Sequence, residues 1–589
     1  SGAAEAMVAL NRLPLAEKTD AVKRGRITAA QALAGSDELA GEAGRLLHAV
    51  ALRPLEMPER RTHAFSVFDE AQGAPKDAEG GQPSKPLLGL TLAVAGTVDV
   101  EGVTPLASSE LLEEPSLRCA RPLAALERAG AVVAALAWAG ELGGLISPDA
   151  PARTIKAGSP VNPIPPTAPP REDTPMPATA AVVAAGAASA GLFLGRGSDA
   201  AKAAVSHGLA SFRASPGIFT SIEGFGPSWR SGGWGVMARS VADAAKILRH
   251  AAADEGVNGQ PGRGAWAFPG YRPLLLGQDG VEQWIEEMRL PTADVPLRKV
   301  LFAVGAEWKT SERLAAAERI AAHFHARGIE TGFVVDLPDE APIVDWMTWA
   351  ELEPAFEDFL CRHFPLHTEL RTDQFLMALT LGDRIKRDGW DRRRFVSLIR
   401  HAPEMLSPWG PQIAREELAP LRDRIDRLFI GQDHADALIW FGGSAAVDCA
   451  SGPVVGVPLL DDRAAEKILG AFVTGPMRED VKTRVAAEML EDAARTLFGP
   501  LDLSYAFAPV PEAEAEADAA SGGAPEAAPV EGAPDEETPP EVDAVTENLT
   551  RLLEHASQNE AESGEGAAAG ADWMRGFPKD PAARAAALG

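Results

Sequence analysis

Three polar residues near the middle of the chain, Ser198, Asp199 and Lys202, have side chains that could do chemistry. A serine hydroxyl can act as a nucleophile, and a carboxylate or an amine can accept or deliver a proton. We regard them as a possible residual reactive site, in which Asp199 and Lys202 would do most of the work. Lys202 also has a simpler interpretation, because most lysines lie on a solvated surface.

Other reactive residue types give weaker signals. Ser206 and His207 could mimic a nucleophile and its base, but neighbouring side chains on a strand or turn rarely face each other. Lys85 could supply a base, although a solvated position is again the simpler interpretation. No His and carboxylate spacing typical of a metal site is present, so we predict no metal and no cofactor. The cysteines are few and widely spaced, which predicts buried thiols rather than disulfides: Cys119, Cys361 and Cys449.

The elements that would position these residues are predicted from the pattern of apolar side chains. Alternating leucines and valines over 87–100 indicate a strand that ends near Gly96. A helix and then a strand are predicted over 120–145, and strand–helix–strand over 298–335. This alternation predicts an α/β fold with a mixed sheet core flanked by helices.

The composition fits a large cytoplasmic protein. The chain has 589 residues, 46% of them hydrophobic, so it can bury a large core. A formal net charge of −28 argues against nucleic-acid binding, because a polyanion would be repelled. No apolar run reaches the length that a membrane span needs, and the first residues lack the order of a secretory signal. We therefore expect neither a nucleic-acid nor a membrane partner.

The stretch 173–243 resembles the core of the amidase signature family. Residues 173–179 stand where that family has a Gly/Ser-rich loop, and 197–199 fall near its second, Gly-Gly-Ser loop. Residues 212–217 are similar to its Gly-Leu-Lys-Pro-Thr motif, and 235–245 (GVMARSVADAA) to Gly-Pro-Met-Thr-Arg-Ser-Val-x-Asp-Ala-Ala. The resemblance extends in order over about residues 20–500 and implies the fold of a C–N bond hydrolase; its other segments are 86–100, 436–440, 452–458 and 471–476.

The catalytic groups that the resemblance implies are replaced. In that family a Ser attacks the amide carbonyl, a second Ser relays its proton to a buried Lys, and a Gly-rich loop binds the oxyanion. The Lys position falls on Ala95, and the relay Ser falls on Pro175. The nucleophile falls on Asp199 in an ungapped register, or on Ala201 when Leu194-Gly195 is aligned with the family's Leu-Gly.

The oxyanion loop has changed as well. Its glycines fall on Pro177 and Ala178, and a proline has no N–H to donate. Loss of all three catalytic groups together with this loop favours a pseudoenzyme that acts in binding, as a scaffold or as a complex subunit. The alternative is an active amidase that hydrolyses a small amide with relocated catalytic residues.

The last part of the chain has a different composition. Residues 511–570 contain 16 Asp and Glu against one Arg, which gives −15 of the net −28. Low hydrophobicity combined with like charge predicts a disordered acidic tail. Two short apolar segments interrupt it and predict a protein partner that binds through the tail; their main residues are Leu549, Leu552, Leu553, Trp573 and Phe577.

We divide the chain into five parts on this basis. The amidase-like core is split by a variable, mostly helical insertion. The predicted parts are N-terminal helices over 1–70, the first part of the core over 71–255, the insertion over 256–430, the last part of the core over 431–500, and the tail over 501–589.

Overall fold

The computed structural model describes the core of the chain and not the tail. The described residues are 1–73, 85–104, 115–139, 163, 177–219, 223–225, 232–254, 278–335, 337–339, 344, 359, 410–431, 434–450, 452–462 and 467–501.

An 11-stranded sheet runs through the described part of the molecule. Its strands in chain order are β1 (Val50–Leu52), β2 (Thr91–Ala95), β3 (Val132–Ala137), β4 (Ala190–Arg196), β5 (Ala210–Arg213), β6 (Gly232–Ala238), β7 (Lys299–Val304), β8 (Glu330–Phe333), β9 (Ala437–Phe441), β10 (Val454–Asp462) and β11 (Lys467–Thr474).

Helices pack on this sheet. Those that the structure describes are α1 (Gly2–Arg12), α2 (Leu15–Lys23), α3 (Ala29–Leu47), α4 (Pro58–Gly73), α5 (Arg121–Arg128), α6 (Pro177–Ala184), α7 (Gly197–Ser206), α8 (Val241–Ala251), α9 (Gln278–Glu287), α10 (Ser311–Ala326), α11 (Gly410–Asp426) and α12 (Asp480–Phe498). None of them combines the length and the apolar character that crossing a membrane requires.

The sheet is mixed, as predicted. Its strand order is β1-β3-β2-β4-β6-β5-β10-β11-β9-β7-β8. Strand β2 is parallel to both β3 and β4, and β7 is parallel to β8 and β9. The remaining pairs are antiparallel. The range 256–430 contributes β7 and β8 to this sheet, so the predicted insertion includes part of the core.

The two faces of the sheet bury different side chains. Along β2, Leu92 and Val94 belong to one apolar cluster, whereas Ala93 and Ala95 belong to the other. The second cluster is rich in alanine and lies under α1, α3, α4 and α6. Such small residues let a helix approach the sheet closely: a Cβ on Gly191 would lie 2.6 Å from Thr179 Cγ2 of α6.

Helices α3 and α8 each begin with a capping side chain. Thr28 caps α3, its hydroxyl accepting the Gln31 N–H at 3.1 Å while the Gln31 side chain accepts the Thr28 N–H. Ser240 caps α8 by accepting the Asp243 N–H at 3.2 Å. Both caps satisfy backbone donors that a helix start would otherwise leave unpaired.

Candidate active site

The residues predicted to do chemistry lie at the carboxyl ends of β2 and β4. Both strands run in the same direction, so Ala95 and Arg196 end them at one edge of the sheet. The Leu194 N–H donates to Thr97 Oγ1 at 3.4 Å, which joins the two ends. Open α/β sheets bind their ligands at this kind of edge.

Ala95 places a methyl group where the resemblance implies a catalytic lysine. Its side chain is 1% exposed and lies in the alanine-rich apolar cluster with Phe193. Ala201, one of the two nucleophile positions, is equally buried on α7. It packs against β10 so closely that a Cβ on Gly456 would lie 2.8 Å from its Cα. Neither position has a group that could attack a carbonyl or accept a proton.

Ser198 and Asp199 belong to a buried ionic network, the α7 cluster, which consists of Arg196, Ser198, Asp199, Arg213 and Asp448. Asp448 lies at its centre with a side chain that is 0% exposed. Its Oδ1 accepts the Ser198 N–H at 3.0 Å, and its Oδ2 accepts the Ser198 hydroxyl. Arg196 Nε lies 3.5 Å from Asp448 Oδ2 and 3.5 Å from Asp199 Oδ2. Arg213 Nη2 lies 3.9 Å from Asp448 Oδ1.

The charges of the α7 cluster balance. Two guanidinium groups face two carboxylates, and the Asp448 carboxylate covers the N-terminus of α7. A helix N-terminus attracts an anion because its backbone N–H groups and its dipole point toward that end. Here the chain's own carboxylate occupies the position, which leaves the N-terminus of α7 paired internally.

A second buried pair repeats this arrangement. The Ser215 N–H donates to Asp480 Oδ2 at 2.9 Å, and its hydroxyl donates to Oδ1 at 2.5 Å. Burial raises the pKa of Asp480, whereas the bonds from Ser215 and the charge of Arg213 oppose this rise. Arg213 therefore contributes to the environment of both buried aspartates. Sequence reasoning missed Asp448, Asp480 and the role of Arg213.

The serine–histidine pair does approach, contrary to expectation. Ser206 Oγ lies 3.1 Å from His207 Nδ1, but that nitrogen also lies 2.7 Å from the Ala203 carbonyl oxygen. A carbonyl oxygen only accepts, so Nδ1 must carry the hydrogen. Nδ1 therefore cannot take a proton from Ser206, and burial lowers the pKa of His207 to about 4. The pair lacks the arrangement of a nucleophile and its base.

The two candidate lysine bases lie in ordinary surroundings. Lys202 is exposed on α7. Lys85 Nζ lies 2.7 Å from Glu70 Oε2 on the surface. The described cysteines are not paired, and burial raises the pKa of the thiols of Cys119 and Cys449, Cys119 to about 12. The described ranges contain no cluster of side chains that could hold a metal ion.

Several predicted residues lie outside the described residues. They are the relay position Pro175, the cysteine Cys361, and the tail residues Leu549, Leu552, Leu553, Trp573 and Phe577. Of the oxyanion-loop positions, Pro177 begins α6 and Ala178 is buried within it. A proline at the start of this helix leaves no N–H at that position.

Arg239 and Asp243, which match the family's pattern, make structural contacts. Arg239 Nη2 donates to the Val183 carbonyl oxygen at 2.8 Å, near the C-terminus of α6. Asp243 Oδ2 accepts the N–H of Leu15, the first residue of α2, at 3.1 Å. Both contacts connect elements of the core, which is a structural role.

Comparison with solved structures returns amidases. A peptide amidase from Stenotrophomonas maltophilia has 18% identity and a TM-score of 0.63, covering 83% of this chain and 98% of that chain. An amidase family protein from Bacillus anthracis str. Ames has 15% identity and a TM-score of 0.61, covering 84% and 94%. A structure described as a vestigial protein complex that reveals the origins of an s-triazine catabolic enzyme has 18% identity and a TM-score of 0.56, covering 82% and 98%.

The sequence comparisons add nothing to this likeness. No protein-family model and no curated protein matches the chain. Each of these proteins shares less than 20% sequence identity with this chain, so the likeness shows the fold. It spans nearly the whole length of each matched structure. The expected architecture is therefore confirmed: the chain has the fold of the amidase signature enzymes.

Proposed function

We propose that this protein uses an amidase fold for binding, as a scaffold or a complex subunit, without hydrolysing amides. The observation that carries the proposal is the α7 cluster. Where the fold would present a nucleophile, Ser198 donates its hydroxyl to the buried Asp448 and Asp199 lies beside Arg196. A serine held by a carboxylate and two nearby guanidinium groups lacks the neutral base that would activate it.

The missing base strengthens this argument. Amide hydrolysis at neutral pH needs on the order of 10 kcal/mol or more of transition-state stabilisation. A buried methyl at Ala95 contributes none of it; Lys85 pairs with Glu70 on the surface, and the side chain of Lys202 is exposed. The combination supports loss of the reaction more than its relocation.

The complex-subunit form of the proposal has a structural precedent. A protein of this fold occurs in a structure described as a vestigial protein complex. In the present chain the partner would bind through the apolar segments of the acidic tail, which were predicted from the sequence. Their leucines and aromatics offer apolar anchors in a polar setting, as segments that order on a partner do.

A serine-directed reagent tests the absence of an activated nucleophile. An aryl phosphonate with a good leaving group phosphonylates a serine only when a nearby base activates it. We expect no mass increase after incubation of the intact protein. Stoichiometric labelling at Ser198 or Ser206, lost in the Ser198→Ala or Ser206→Ala variant, would support the enzyme instead.

A variant pair tests the tail. Leu552→Asp combined with Leu553→Asp should abolish partner binding, because charges replace the apolar anchors. Gln558→Ala is the matched control, since it changes a polar residue of the same segment and should retain binding. If both variants bind the partner equally, the binding site lies outside this segment of the tail.

A further inference from the structure

The N-terminal helices α1 and α2 are attached to the sheet through buried polar bonds. Asn11 Nδ2 donates to the Gly186 carbonyl oxygen at 2.8 Å, and Asn11 Oδ1 accepts the Thr91 hydroxyl at 2.6 Å. The Leu15 N–H donates to Asp243 Oδ2 at 3.1 Å. These bonds join the two helices to the turn before β4, to β2 itself and to α8.

Lys18 on α2 is enclosed at this attachment. Its side chain is 0% exposed, and its Nζ donates to the Asn11 carbonyl oxygen at 3.4 Å. It forms no ion pair with any described carboxylate. A fully buried amine without a paired anion is much more stable uncharged. Burial therefore lowers the pKa of Lys18 well below its usual value, and the charge of Arg239 lowers it further.

One guanidinium and one carboxylate act on Lys18, those of Arg239 and Asp243. We name Arg12, Lys18, Arg239 and Asp243 the N-terminal joint. Arg12 is the last residue of α1. Burial lowers the pKa of Arg239, and the nearby charge of Arg12 lowers it further. Asp243 is the carboxylate that favours a charged Lys18, but it also has Lys246 as a neighbour, and burial raises its own pKa.

Helix α4 also packs on α2, and its Arg60 and His63 interact with other groups. On α4, Arg60 pairs with Glu127. His63 Nε2 lies 3.3 Å from the Ala131 carbonyl oxygen. A protonated Lys18 would place a buried cation near the guanidinium of Arg239, and Asp243 would be the carboxylate that acts on it.

The attachment of α2 to the sheet should therefore depend on pH. An unfolded or detached α2 exposes Lys18 to water, where the amine takes up a proton at any pH below its ordinary value. The closed joint excludes that proton, so lowering the pH favours the detached state. Asp243 titrates in the opposite sense, because its raised pKa favours the folded form in acid, but its protonation also removes the counter-charge nearest to Lys18.

We infer that α1 and α2 form an acid-released clasp, closed while Lys18 is uncharged and opened when Lys18 takes up a proton. Opening uncovers apolar surface on both sides of the joint. The helices bury Met7, Leu10 and Val22 in the alanine-rich cluster, and these contacts close the clasp again when the proton leaves.

Hydrogen exchange of the α2 amides, corrected for the intrinsic pH dependence, tests the clasp. In the full-length protein the opening equilibrium of α2 should rise about tenfold for each pH unit below 9, as long as Lys18 stays uncharged in the closed form. Amides of α10, far along the chain, should keep their protection over the same range. Exchange of α2 that does not depend on pH would overturn the inference.

Two variants separate the charge of Lys18 from its bulk. Lys18→Met and Lys18→Leu should reduce the pH dependence of α2 opening to less than about twofold, since neither side chain titrates. Lys23→Met is the matched control, because Lys23 is exposed in the last turn of the same helix and should keep the full pH dependence. Retention of the slope in both Lys18 variants, or failure of both to fold, would contradict an uncharged lysine in the joint.

Discussion

The α7 cluster and the N-terminal joint are both buried and polar, but they balance their charges differently. In the α7 cluster two guanidinium groups face two carboxylates, and Asp448 also binds a backbone N–H and a hydroxyl. In the N-terminal joint the carboxylate of Asp243 acts on Lys18 without forming an ion pair with it, and Arg239 opposes a charge on Lys18. Burying a charge is tolerated when partners replace its hydration; otherwise the group gives up its charge. The α7 cluster therefore keeps its charges paired, whereas the N-terminal joint stays closed only while Lys18 is uncharged.

Asp448→Ala should produce the largest effect, because it breaks the balanced network at its centre. It removes the anion beside Arg213, whose side chain is 1% exposed, and leaves the N-terminus of α7 without its cap. We expect a loss of about 3–5 kcal/mol in the free energy of unfolding, measured with urea.

Asp448→Asn separates the charge of Asp448 from its hydrogen bond to the Ser198 N–H. The amide retains an oxygen for the Ser198 N–H but removes the charge, so its loss should be smaller than that of Asp448→Ala. A cost below about 1 kcal/mol for Asp448→Ala would mean that the network contributes little to stability.

Glu491 on α12 offers a second titrating group near the joint. Its Oε1 accepts the N–H of Val241, the first residue of α8, at 3.3 Å, and burial raises its pKa from 4.5 to about 7. Because the folded-state pKa is the higher one, its contribution to stability is complete below pH 4.5 and is lost as the pH rises through 7. At pH 8, Glu491→Gln should therefore stabilise the protein by about 2–3 kcal/mol, measured by urea unfolding.

The neighbouring Asp492 provides the control for this prediction. It is half exposed and pairs with Arg327, so Asp492→Asn should change the free energy of unfolding by less than about 0.5 kcal/mol. If Glu491→Gln shows no advantage at pH 8 over pH 5, the pKa of this carboxylate is not raised by its surroundings.

Ser198→Ala should have a smaller effect within the α7 cluster. It removes the hydroxyl that donates to Asp448 but leaves the backbone N–H in place. One hydrogen bond to a charged group corresponds to a loss of about 1.5–3 kcal/mol. A two-state thermal melt measures it, and a more stable variant would indicate that the hydroxyl serves a purpose other than structure.

Lys202→Ala should have the smallest effect, because its side chain is exposed. We expect a change of less than about 0.5 kcal/mol in the free energy of unfolding, from the same thermal melts. A larger change would imply that Lys202 interacts with the α7 cluster, as the rival enzyme hypothesis requires.

Much of the fold could be predicted from local patterns. The strand over 87–100, the caps at Thr28 and Ser240, and the alternation over 298–335 all follow from neighbouring residues. These signals act over a few positions, so a single sequence contains them. The order of the strands in the sheet does not follow from such signals, and only its mixed character was predicted.

The candidate site could be predicted only in part. The replaced position Ala95 is visible from the resemblance, but the partner of Ser198 is Asp448, 250 residues away in an unremarkable stretch. Lys18 has the same difficulty, because the charges that act on it, those of Arg239 and Asp243, lie far along the chain. Long-range pairs of this kind leave no spacing pattern, so composition and periodicity cannot reveal them.

Turnover of simple aryl and aliphatic amides by the purified full-length protein tests the central claim most directly. The account predicts no hydrolysis above the uncatalysed rate, with no difference between the protein and its Asp199→Ala variant. Measurable turnover that disappears in Asp199→Ala would contradict it and establish an active amidase with relocated catalytic groups.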